Sequence, residues 1–382
     1  MNFLPRVLPS SVAVSLLVSS AAYANPRAHR TSHPLRSEAA VTPLAAGNIT
    51  YQGGPIISHV QVVVVLWGPN VASIVTDTVA NFYTAVTNSP LMDWMGEYDT
   101  VNQTRGTNQH VYHGEYLKTV TIMPSMTTGT IADSDIQNEL TSNIKSGTLP
   151  APQADPVEGH VNTLYAVYFP PGVQIDDGTG SLSCTKWCAY HGSFSYTGLS
   201  TGVPYSVIPD FSNSACAKGC GGNTPTEGMT CTSAHEMLEA VSDTDTNLTS
   251  WYDSANGEIC DICNNCETVA GFSVQQCWSQ RLGQCIAQDP NLPLCNGTTR
   301  PCRSCTAADC TGATPTCVTD PLAPNAGECA AAAGGGDAGT SSSGGSSGST
   351  SGSGSTSGSS SGGSSGSSSG GSSGASSGSG SG

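Results

Sequence analysis

The chain has 382 residues, with 12 Lys+Arg against 28 Asp+Glu and a formal net charge of −16. That balance excludes nucleic acids and anionic membrane surfaces as partners, because both are bound through basic side chains. Only 10% of residues are charged, so the surface is polar and mildly acidic rather than polyanionic.

At the N-terminus Arg6 precedes the apolar run "SVAVSLLVSSAA", which ends in the small-residue pattern Ala22-Tyr23-Ala24. This reads as a secretory signal peptide over residues 1–24. The run is too short for a permanent membrane span, and no later segment approaches the roughly 20 apolar residues that one needs. Export makes the 16 cysteines a disulfide framework rather than redox or metal chemistry. The protein is therefore expected outside the cytoplasm, free or at the cell surface, as a monomer with no stable membrane insertion.

Residues 25–47 carry Arg27, Arg30 and Arg36 without periodicity and read as a disordered arm or a pro-segment. A domain of ordinary size follows over residues 48–290. Within it "HVQVVVVLWG" reads as a buried strand from its β-branched run. Ile74, Val75, Val79, Phe82, Tyr83 and Val86 then recur at helical spacing. "KTVTIMP" is a second strand. "DSDIQNELTSNIKSG" is a helix with Asp133 or Ser134 as cap and Gly147 as stop. "NTLYAVYFPPG" and "YSVIPDF" are further strands, and a helix over "TCTSAHEMLEAVSDTD" comes last. The order β, α, β, α, β, β, α predicts an α+β fold, a mixed sheet with a late helix packed on it.

Residues 291–333 hold six cysteines and almost no apolar side chains, so cross-links must replace a core in this small module. Residues 334–382 are nearly all Gly and Ser, with Asp337 the only charge. Such a segment cannot bury enough apolar surface to offset chain entropy and reads as a disordered tail.

The late helix carries the chemistry. In H-E-x-x-E, His235 and Glu239 are four apart and share a face, so both can hold one metal ion while Glu236 points beside it at a water. The pattern is the zinc-protease H-E-x-x-H with a carboxylate for the second imidazole. A third ligand is needed. Asp243 lies about 12 Å further along the axis if the helix continues; Glu258, 19 residues past Glu239, allows the chain to return. Asp261 then stands where it can hydrogen-bond His235. The competing reading is an ordinary surface helix followed by a solvated turn. His191 in "CTKWCAYHGSF" reads as a structural histidine or as a hydrogen-bond donor to a reacting carbonyl. His110 and His113 form a ligand pair only on a helix, and their neighbours favour strand or loop. "CDICNNC" lacks the cysteine at position 270 that an iron–sulfur run requires, because Ala270 stands there. No G-x-S-x-G, Walker loop or dinucleotide fingerprint is present.

"NITYQGGPIISHVQVVVVLWGPN", "CAYHG", "AHEMLEAVSD" and "WYDSANGEICDIC" together resemble the exordium or phosphate-induced protein family, in its bacterial branch with an H-E-x-x-E-A helix. The resemblance covers roughly residues 48–285. It implies a zincin-like exported protein, connected in plants with growth and phosphate responses, whose bacterial members look like metallopeptidases. The spacing to Glu258 is also similar to thermolysin-type enzymes, in which a downstream glutamate completes the site and an aspartate supports it. On this reading His235, Glu239 and Glu258 hold the ion, Glu236 is the base, and an extracellular peptide or protein is the substrate. Asp261 and Asp243 support the ligands. Glu239, standing where those enzymes have histidine, neutralises more of the ion's charge and acidifies its water less. Zinc is the first expectation; manganese and calcium also suit an oxygen-rich set. The alternative is a non-enzymatic extracellular protein in which the helix holds a structural metal.

Overall fold

The computed structural model describes residues 47–155 and 159–289, together with the backbone of residues 32–34, 316–317 and 329–330. In chain order its first elements are β1 (Ser32–Pro34), β2 (Thr50–Tyr51) and β3 (Gln61–Trp67), then α1 (Ser73–Thr76), α2 (Val79–Val86) and α3 (Pro90–Asp93). β4 (Glu115–Ile122), β5 (Gly129–Ala132), α4 (Asp133–Lys145), β6 (Thr163–Tyr168) and β7 (Val173–Asp176) follow. β8 (Trp187–Phe194), β9 (Val203–Ile208), α5 (Cys216–Gly219) and α6 (Pro225–Ser242) come next. Short strands close the chain: β10 (Trp251–Tyr252), β11 (Cys266–Val269), β12 (Phe272–Gln275), β13 (Cys277–Ser279), β14 (Gln284–Ile286), β15 (Thr316–Cys317) and β16 (Cys329–Ala330).

Six strands form one mixed sheet in the order β1-β8-β9-β6-β3-β4. β4, β3, β6 and β9 run parallel, whereas β8 is antiparallel to β9 and β1 is antiparallel to β8. The unbroken apolar run of β3 follows from burial on both faces. Val62, Val64 and Leu66 join one hydrophobic cluster, and Val63, Val65 and Trp67 join the other. Ile136, Leu140 and Ile144 of α4, at helical spacing, cover the second face. The first face is covered by α2 and α6, with Phe82, Tyr83, Met237, Leu238 and Val241 buried there. This is a mixed α+β architecture, and among the described residues no helix is long and apolar enough to cross a membrane.

Three local outcomes differ from the sequence expectation. The apolar stretch after β3 does not stay one helix: Ser89 Oγ accepts from Leu91 N at 3.2 Å and Pro90 opens α3, because proline fits only a helix's first turn. Asp133 opens α4 without capping it; its carboxylate turns to the sheet and accepts the hydroxyls of Tyr190, at 2.6 Å, and Tyr205. "WCAYHGSF" becomes β8, buried along its whole length. Its Cys, His and Gly carry no strand signal, and pairing with β9 overrides that weak propensity. Gly147 does stop α4, with φ of +78°.

The expected signal peptide, most of the arm and the Gly/Ser tail lie outside the described residues, as does most of the cysteine-rich module. Of that module, the antiparallel pair β15–β16 sets Cys317 opposite Cys329.

Ten cysteines of the described domain are all bridged. Cys184–Cys216 ties the turn before β8 to α5, Cys188–Cys220 ties β8 to the residue that ends α5, and Cys231–Cys266 ties α6 to β11. Cys260–Cys277 and Cys263–Cys285 cross-brace the segment between α6 and β14. Loop-closure entropy assigns a bridge spanning 35 residues about 4 kcal/mol. The double variant Cys231→Ser/Cys266→Ser should accordingly lose about 2–5 kcal/mol in denaturant unfolding. An unchanged midpoint would mean the segment is held by packing alone.

Candidate metal centre

α6 begins with Thr224, whose Oγ1 accepts from Glu227 N at 3.2 Å, and with Pro225 in its first turn. Contrary to an amphipathic surface helix, every residue from Gly228 to Ser242 is buried. Small residues at Gly228, Ser233, Ala234 and Ala240 let neighbouring backbone come close. The helix stops at Asp243, whose Oδ1 accepts from Ser250 N at 2.8 Å and starts the chain back.

The return crosses a tight turn. Asp253 pairs with Gly257 through an N–H···O bond of 2.9 Å. Gly257 has φ of +96°, and a Cβ there would stand 2.3 Å from Asp261 Oδ2, so only glycine fits. Glu258 follows. Its N–H donates to Asp261 Oδ2 at 3.1 Å, and the N–H groups of Cys260 and Asp261 donate to Glu239 Oε1 at 3.2 and 3.1 Å. Gln275 Nε2 holds the carbonyls of Cys260 and Cys263 at 2.9 and 2.8 Å. Residues 258–262 are therefore a braced bend, not a helical turn.

β8 contributes His191 from the sheet. Its Nδ1 stands 3.5 Å from Glu236 Oε2 and 3.7 Å from Glu239 Oε2, and its Nε2 is 3.3 Å from Glu258 Oε1. His235 Nε2 lies 2.9 Å from Glu239 Oε2 and 3.7 Å from Asp261 Oδ1. Relative side-chain exposure is 0–2% for both histidines and the three glutamates.

Two triplets hold their potential ligand atoms within 4.8 Å of one another: His191, Glu239 and Glu258, and His235, Glu239 and Cys260. Cys260 is bridged to Cys277 and has no thiolate to offer, which leaves the first triplet as a compact three-ligand set. Glu239 and Glu258 thus come together, whereas His235, expected as a ligand, lies outside this triplet with its Nε2 2.9 Å from Glu239 Oε2. His191, expected either as a structural residue or as a donor to substrate, stands at ligand spacing. Asp243 lies close enough to Glu258 for its charge to raise that carboxyl. His110 and His113 lie apart from this cluster in a loop, paired to Asp99 at 2.5 Å and Asp93 at 2.6 Å.

Burial dominates the electrostatics. It pushes Glu239 up to about 8 and Asp243 up to about 7. Burial and the charge of Glu239 bring Asp261 to about 7. Glu236 is raised by burial, and Glu258 is held well above the usual carboxylate range for the same reason. Burial alone would depress His191, but Glu258, Glu236 and Glu239 around it hold it well above an ordinary imidazole. Both ring nitrogens of His191, both oxygens of Glu236, Glu239 Oε2, Glu258 Oε2 and Asp261 Oδ1 make no hydrogen bond although buried. Unmet lone pairs on carboxylates and imidazole are the donor set a divalent cation requires, so these residues fit a metal ion.

Compared with protein-family models, with curated proteins and with solved structures, the chain matches none of them.

A carboxyl held above its unfolded value gives stability that is complete below that value and is lost as pH rises through the folded value. For Glu239, between an ordinary 4.5 and about 8, the loss runs across that window. Chelator-treated protein should therefore melt at progressively lower temperature from pH 5 to pH 8, and a divalent ion should restore Tm at pH 8. A Tm that rises over this range without metal would contradict the buried cluster.

Proposed function

We propose that the protein is a secreted, zincin-like metal-dependent peptide hydrolase. One observation carries this reading: His191, Glu239 and Glu258 present ligand atoms within 4.8 Å of one another, and beside them Glu236 keeps both carboxylate oxygens without a hydrogen bond. A structural metal site has no need of such a carboxylate, whereas hydrolysis needs a base. The resemblance of the H-E-x-x-E helix and its downstream G-E-x-x-D to the exordium family supports the same reading, and five disulfides in the described domain suit an oxidising compartment.

A divalent ion, zinc by preference and manganese or calcium as alternatives, would supply Lewis acidity that acidifies a water and polarises a peptide carbonyl. Glu239, Glu258 and His191 would hold the ion, and His235, 2.9 Å from Glu239 Oε2, would position that ligand. Glu236 takes the proton of the attacking water; its raised pKa brings it nearer the working pH and makes it a better base. It then returns that proton to the leaving amine. The N–H groups of Cys260 and Asp261 fix Glu239 Oε1, so that Oε2 would be the oxygen offered to a metal. Asp261 anchors the main-chain N–H of Glu258, and Asp243 would support the ligands from beside Glu258.

The completeness of the burial favours a second reading, a closed structural metal centre in a non-enzymatic extracellular protein. Substitutions separate the two. Glu239→Ala and Glu258→Ala should each remove most of the bound metal on elemental analysis. His191→Ala should do the same if it is a ligand, and should keep metal if it only donates to substrate. Glu236→Gln should keep metal and fold while lowering hydrolysis of an unstructured protein by about 10²- to 10⁴-fold. Equal activity of Glu236→Gln and wild type would remove the hydrolytic mechanism, and unchanged metal in all three ligand variants would remove the centre itself.

A further inference from the structure

The two triplets have Glu239 in common, and the two histidines fall in different ones. His191 Nδ1 lies 3.7 Å from Glu239 Oε2, and His235 Nε2 lies 2.9 Å from the same oxygen. Oε1 is taken by two main-chain N–H groups, whereas Oε2 is wholly buried and makes no hydrogen bond. One oxygen with unmet lone pairs thus faces two imidazoles that share no triplet.

The His235 side has its own third donor. Cys260 is closed to metal by its bridge to Cys277, but the next residue, Asp261, brings Oδ1 to 3.7 Å from His235 Nε2. That oxygen is buried without a hydrogen bond, while Oδ2 accepts the N–H of Glu258 and fixes the direction of the carboxylate. Ligand atoms bound to one ion at about 2.0–2.2 Å stand about 3–3.5 Å from each other, and the separations of 2.9 and 3.7 Å around His235 Nε2 bracket that spacing. Charge points the same way. Glu236, Glu239, Asp243, Glu258 and Asp261 bring five carboxyl groups into one layer, and carboxylates stripped of water need counter-charge. One divalent cation offsets two of those charges; a pair offsets four.

We propose that this layer holds two divalent cations, the first on His191, Glu239 and Glu258 and the second on His235, Asp261 and the shared Glu239 Oε2. One imidazole with two carboxylates suits zinc or manganese. The second set is the weaker, since Asp261 is its most exposed member at 12%, and it fills once the first ion holds Oε2. A second ion would give the scissile group another positive charge to lie against. The pair rests on the metal centre described above and not on its hydrolytic role.

The test counts zinc per chain, by elemental analysis and native mass spectrometry, in protein stripped with chelator and reloaded with zinc chloride. Wild type should carry two ions. Asp261→Asn is nearly isosteric, keeps an oxygen for the N–H of Glu258 and removes the charge; it should carry one ion, and His235→Gln should carry one as well. Melting temperature against added zinc should rise in two steps for wild type and in one step for either variant. A single ion in wild type overturns the second site and leaves the first standing, whereas no ion removes both together with the metal-dependent reading. Two ions retained in both variants place the extra ion elsewhere, at His110 and His113 for example, and equally overturn the pair. Wild type reloaded with manganese(II) decides the point without any variant: ions sharing Glu239 Oε2 give an exchange-coupled paramagnetic resonance spectrum, and isolated-ion signals alone overturn the proposal.

Discussion

The structure depends on one constraint, the matching of charge in the buried layer between α6 and β8. Glu236, Glu239, Glu258 and the two histidines are cut off from water. An ionised carboxylate stripped of water costs several kcal/mol unless it is paired. Two main-chain N–H groups on Glu239 and one on Asp243 answer only part of that demand. Protonation answers the rest in the metal-free protein, which is why burial lifts these groups towards neutral pH. A divalent cation would answer it without protons.

Around this layer the fold supplies rigidity where secondary structure cannot. His235, Glu236 and Glu239 ride on a helix and His191 on a strand, both fixed by packing. Glu258 and Asp261 sit in irregular chain, and irregular chain moves unless it is tied. Gln275 binds two carbonyls of that bend, and Cys260–Cys277, Cys263–Cys285 and Cys231–Cys266 fasten it to its neighbours. The cysteines thus do for the return segment what the valine-rich strands do for the sheet. Cross-links within the bend hold Glu258 and Asp261 against their neighbours.

β8 also lies directly beside this buried layer. β8 is paired on both sides only because a three-residue stretch of the arm lies along it.

Much of this was legible in the sequence because it depends on local periodicity. The β-branched run of β3, the helical spacing of α4 with Gly147 behind it, and the end of α6 near Asp243 all follow from residues within one element. The pairing of Glu239 with Glu258 was legible too, since 19 intervening residues suffice for a chain to turn and return. Tertiary structure alone decided the rest. β8 has a mixed strand signal, with Trp187, Tyr190 and Phe194 set against Cys188, His191 and Gly192, and pairing with β9 decides it, so the place of His191 among the carboxylates was not readable from "CAYHG". Asp133 looked like a helix cap, yet two tyrosines from β8 and β9 claim its carboxylate. α6 looked amphipathic but is buried all round, because the sheet covers one side and the return segment the other. Sequence fixes what each element can be; which carboxylates lose their water is decided only when distant elements close over them, because desolvation belongs to the assembled fold and to no single stretch of chain.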